Sequence, residues 1–121
     1  MTTIRIFKSG QNITKFTISG HSGYAESGKD IVCSAISAMS QSVCVGLENV
    51  LNLNPSIKIE EGFLECILPE NLSAKQNDEA QILLKTFEQS VEQILLGDKK
   101  LKKYIYLEVK NEIYWYSTFC P

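Results

Sequence analysis

Basic excess, paired cysteines and histidine are scarce or missing in this chain, and each shortage removes a class of function. Twelve Lys and Arg face fourteen Asp and Glu, leaving a formal net charge of -2 over 121 residues. Domains that work by neutralising phosphate are usually strongly basic, so direct nucleic-acid binding is not expected. The one concentration of positive charge, Lys99-Lys100-Leu101-Lys102-Lys103, reads as a solvated connection between a helix and a strand. Cys33, Cys44, Cys66 and Cys120 contain no Cys-x-x-Cys pair, and His21 is the only histidine. That is a poor set for zinc, so neither a metal nor a cofactor is expected. Met1–Ile6 lacks the basic start and apolar core of a signal peptide, and no uninterrupted apolar run approaches the ~18 residues that cross a bilayer. These features describe a cytoplasmic protein with free thiols and no membrane partner. Internal repeats, low-complexity tracts and linkers are also lacking.

What is present is a folded domain's composition, 44% hydrophobic and 21% charged, in a length that makes residues 1–121 one domain. Residues 3–8 and 13–19 alternate like two strands around the turn Ser9–Asn12. From Ile31 to Leu51 the period becomes helical, with Val32, Ile36, Met39, Val43, Leu47 and Val50 on one stripe. Asp30 stands where an N-cap is wanted. Strands 57–60 and 63–68 follow around Glu61-Gly62, then a helix over 73–96. Its stripe is Ala80, Leu83, Leu84, Phe87, Val91, Ile94 and Leu95, and Gly97 stops it. Residues 103–109 alternate again. The order ββαββαβ predicts a two-layer α+β sandwich, a mixed sheet with both helices packed on one face. The aromatic tail of residues 110–121 has no assigned role.

The segment Gly20–Cys33 carries the chemistry. A thiol nucleophile needs a base, an environment that favours thiolate, and access for substrate. With Asp30 as N-cap, Cys33 is the third helical residue, where unpaired N–H groups and the helix dipole favour negative charge. The backbone N–H groups of Cys33 and Ser34 are then candidates to hold an oxyanion. His21, twelve residues earlier, is the candidate base. Gly20, Ser22, Gly23, Tyr24 and Gly28 make a substrate loop whose glycines permit uncommon backbone conformations and movement. Two jobs are open to Asp30, orienting His21 or capping the helix. The bland readings are a buried cysteine, a turn histidine and a capping aspartate. Against the first, the positions sharing the face of Cys33 are Ser37 and Ser40 rather than the apolar stripe. Cys44 lies ~16 Å along the helix, too far to pair with Cys33. Cys44 and Cys66 read as structural.

The string GHSGYAESGKDIVCSAISAMSQS over residues 20–42, with Asn77-Asp78-Glu79-Ala80-Gln81-Ile82-Leu83-Leu84, resembles the ribosomal-processing cysteine protease family, Prp. The resemblance covers most of residues 1–109 and includes the element order. It implies a cysteine endopeptidase that trims a short N-terminal extension from protein twenty-seven of the large ribosomal subunit, cleaving after an aromatic residue. It makes Cys33 the nucleophile, His21 the base, Asp30 their acidic partner and Gly20 to Lys29 a loop closing over bound peptide. It also implies a homodimer. Ser22 and Ser34 stand where the family more often has alanine, and both are small enough to spare the dyad. The competing expectation is a non-catalytic, ribosome-associated peptide-binding or assembly module.

Overall fold

The computed structural model describes residues 1–20 and 27–111, through the backbone alone at 27–30. The chain runs β1 (Thr2–Ser9), β2 (Asn12–Ser19), α1 (Ser27–Val45), a π-helical turn (Gly46–Val50), β3 (Ser56–Glu60) and β4 (Phe63–Ile67). It continues through α2 (Ala74–Gly97), a 3-10 turn (Lys99–Lys103) and β5 (Ile105–Asn111). This is the expected ββαββαβ order, with the lysine run as the helix-to-strand connection. Of the tail, Lys110 and Asn111 belong to β5, and 112–121 lie outside the described residues.

The sheet has five strands in the order β3-β4-β2-β1-β5. Among the described residues only β1 and β5 run parallel, so the sheet is mixed. Ile4, Ile6, Ile13 and Phe16 of the central strands form one cluster with Ile36, Val43 and Leu47 of α1 and Leu84, Phe87 and Val91 of α2. Both helices therefore cover the same sheet face, and a helix carries one apolar stripe to bury there. The α2 stripe is as expected in type, with Leu83, Ile94 and Leu95 half-buried at its margin. Ser73 caps α2 in a reciprocal capping box with Gln76.

Helix α1 departs from the sequence reading in two places. It starts at Ser27, so Asp30 lies inside the first turns rather than at the N-cap. At its other end the π turn shifts the helical phase, and Val50, expected in the stripe, is 71% exposed. The stretch Ile31–Val50 is long and apolar enough to cross a membrane by length and composition, with a third of it buried. Ser34, Ser37, Gln41 and Glu48 interrupt it, so it is not an unbroken apolar run.

Two buried polar side chains tie α2 to the sheet, Glu88 by pairing with Lys8 at 3.1 Å and Gln81 through the backbone. Gln81 accepts from the Ile13 N–H and donates to the Ile13 carbonyl, both at 2.8 Å. Replacing it by leucine leaves both backbone groups of Ile13 buried without a partner. Gln81→Leu is expected to lower unfolding free energy by about 1–3 kcal/mol, read from urea denaturation midpoints. An unchanged midpoint would show that water replaces the amide.

Candidate active site

Three strand ends converge where α1 passes over the sheet. Gly20, at the end of β2, donates its N–H to the Gly62 carbonyl in the β3–β4 turn at 2.9 Å. Its φ of +143° suits glycine, and an added Cβ would run into the Met1 carbonyl oxygen and lie 2.9 Å from the Thr2 Cα. The start of β1 is thus packed directly against the end of β2. Thr2 is held from its other side by an N–H bond of 2.7 Å to the Tyr104 carbonyl and by parallel pairing with Ile105.

Over this junction α1 places Cys33, partly exposed, with its Sγ 3.1 Å from the Thr2 hydroxyl. A cleft of about 210 Å³ opens beside the sulfur. Its helical wall continues through Ser37 and Gln41, whose side chains hydrogen-bond at 3.0 Å. Its sheet wall is apolar, made by Ile18, Ile59, Phe63 and Leu64. Glu60 is the one charged side chain among the described lining residues, and it pairs with Lys58 at 3.5 Å. A larger cleft of about 580 Å³ lies at the far end of β2 and β4, beside the start of α2. No cysteine or histidine is among its described lining residues, so the chemistry sits in the smaller one.

The structure thus brings Cys33 and Gly20 to one cleft, and puts Ser37 and Ser40 on the thiol's own face as the helical spacing required. His21 follows Gly20 in the chain and, with Ser22, Gly23 and Tyr24, lies outside the described residues. Gly28 and Asp30 fall in α1, so residues 27–29 are helix where the sequence reading had loop. With the start at Ser27, Cys33 is the seventh helical residue. The N–H groups of Cys33 and Ser34 then belong to the helix ladder and are not free to hold an oxyanion, which corrects the expectation. The dipole also acts mainly within the first turn, so it favours a thiolate at Cys33 less than expected. Thr2 was missed. It is 31 residues from Cys33, and no sequence period links a strand start to that helix position.

The other described thiols are different in kind. Cys44 on α1 and Cys66 on β4 are buried and hydrogen-bonded to each other. That hydrogen bond and burial push Cys66 far above the usual thiol range. At Cys44 the same bond lowers the pKa and outweighs burial, which opposes it. Neither thiol lines the cleft of Cys33, in keeping with structural roles.

The family model of the cysteine protease Prp matches residues 1–106. The ribosomal processing cysteine protease Prp of Bacillus subtilis is 28% identical over 86 residues, covering 69% of this chain and 77% of that protein. The crystal structure of an essential ribosomal processing protease Prp from S. aureus with a substrate peptide superposes with a TM-score of 0.76 at 25% identity. It covers 91% of this chain and all of that one. The same enzyme with a covalently linked product peptide gives 0.74 at 26% identity, over the same shares. The mixed five-stranded α+β fold superposes on these structures, and with the family model matching residues 1–106 the chain belongs to the Prp family of cysteine proteases.

Proposed function

We propose that this chain is a cytoplasmic endopeptidase that removes the N-terminal extension of large-subunit ribosomal protein twenty-seven, cutting after an aromatic residue during ribosome maturation. The observation that carries it is the partly exposed Cys33 at the cleft beside Gly20, the residue bonded to His21. The apolar wall of Ile18, Phe63 and Leu64 suits an aromatic side chain, and Gln41 opposite offers hydrogen bonds to an extended peptide. Peptide complexes of the S. aureus relative, one covalently linked, support a covalent route. In that route His21 takes the Cys33 proton and the thiolate attacks the scissile carbonyl. His21 then protonates the leaving amine, and water releases the acyl-enzyme. Asp30, no longer a cap, is left the task of orienting His21.

The proposal includes a homodimer. Ile31, Ala35, Ala38, Ser42 and Val45 are all exposed on α1, spaced alternately four and three residues apart. That is the seam of a helix pair, with small residues at its centre that allow close approach. Wild type is expected to sediment at twice the chain mass, and Ala38→Glu, which touches no core position, at the chain mass. A monomeric wild type at micromolar concentration overturns this part.

The test of the activity is the intact mass of ribosomal protein twenty-seven, carrying its extension, after incubation with reduced enzyme. Loss of one defined N-terminal peptide is expected. An unchanged mass favours the non-catalytic peptide-binding or assembly module instead.

A further inference from the structure

We infer that Thr2 is a positioning residue for the nucleophile, a fixed hydroxyl that donates to the Cys33 thiolate and holds the sulfur at the mouth of the cleft. The assignment rests on the protease reading for its role in turnover. Its geometry stands independently of that reading.

Thr2 Oγ1 lies 3.1 Å from Cys33 Sγ, and either atom is able to donate while the sulfur is a thiol. Once the thiol loses its proton the choice disappears, because a thiolate only accepts. The contact therefore becomes a charge-assisted hydrogen bond in the reactive state, and such bonds favour the charged form. The hydroxyl does not need to be recruited. Thr2 is 6% exposed, its N–H is bonded to Tyr104, its strand is paired on both sides, and Gly20 packs against its Cα. A β-branched side chain on such a backbone has few rotamers, so the donor is preorganised.

The rest of the cleft gives the sulfur little such help. Ile18, Phe63 and Leu64 are apolar, and Ser37 and Gln41 are engaged with each other. Glu60, the charged group facing the cleft from the β3–β4 hairpin, is paired with Lys58. With Cys33 seven residues into α1, the free N–H groups of the helix start are also out of reach. Among the described residues Thr2 is the group hydrogen-bonded to the sulfur.

The experiment compares wild type, Thr2→Val and Thr2→Ser by the rate of iodoacetamide modification at Cys33 between pH 5 and 9, followed by peptide mass mapping. Valine keeps the shape and removes the donor, whereas serine keeps the donor. Thr2→Val is expected to slow alkylation of Cys33 and to lower kcat/KM, each about tenfold. Thr2→Ser is expected to restore both within about threefold. Should Thr2→Val not fold, Thr2→Ala is measured against Thr2→Ser in its place. A Thr2→Val or Thr2→Ala profile that overlies wild type overturns the assignment, and so does a Thr2→Ser variant as defective as Thr2→Val. If alkylation slows as expected but wild type cuts no peptide, the role of Thr2 at the sulfur stands and the protease reading fails.

Discussion

Cys33→Ala is expected to abolish processing of the ribosomal protein, lowering kcat/KM by about 10⁴-fold or more, while the protein melts close to wild type. The two halves of that statement have separate physical grounds. Covalent catalysis has no substitute for its nucleophile, and Cys33 is the one thiol among the described residues of the cleft. Stability is spared because Cys33 is partly exposed beside open space, so removing one sulfur leaves no sealed cavity. His21→Ala is expected to be nearly as damaging, and the double variant no worse than either single one, because the two act as a unit. Turnover by Cys33→Ala within tenfold of wild type would remove the thiol from the mechanism.

The sequence disclosed the site's chemistry better than its geometry, and particular residues show why. The serines on the thiol's face are a local fact, readable from spacing and type, and Cys33 was singled out on the same ground, while His21 lies outside the described residues. The strands and the stripe of α2 were legible for the same reason, since a period of 2 or 3.6 survives in one dimension. The start of α1 was not. Ser27 and Asp30 are both good capping residues, and Gly28 between them is a poor helix former, so propensity alone chose the later start. That error placed Cys33 third in the helix instead of seventh and attached an oxyanion role to N–H groups the helix uses itself. The Thr2–Cys33 contact depends on register between β1 and β5 and on the crossing of α1, which no local pattern encodes. The exposed face of α1 made by Ile31, Ala35, Ala38, Ser42 and Val45 was also in the sequence. Ala35, Ala38 and Ser42 are too small to register as a hydrophobic stripe beside Ile36, Val43 and Leu47.

Phe16→Ala is the change expected to cost the fold most, about 3–5 kcal/mol. Phe16 is fully buried on β2, paired across the sheet with Ile6 and Cys66, and its ring stands 5.1 Å from that of Phe87 on α2. Truncation opens a cavity where the central strand meets that helix, and close-packed neighbours relax only partly into it. Against a total of about 5–15 kcal/mol for a domain, that removes about a fifth of the margin at the least and all of it at the most. The melting temperature should fall by more than about 10 °C, while Phe16→Leu, which refills most of the volume, should lose much less. A fall of only a few degrees for Phe16→Ala would mean that α2 closes onto the sheet and the packing is more compliant than it looks. The consequence for activity separates this variant from Cys33→Ala. β2 runs from Phe16 to Gly20, which is bonded to His21 and packed against Thr2, so the whole cleft depends on this strand staying in register. Phe16→Ala should therefore lose processing in proportion to its unfolded fraction and recover it on moderate cooling, with kcat per folded molecule near wild type. Cys33→Ala should stay folded and inactive at every temperature.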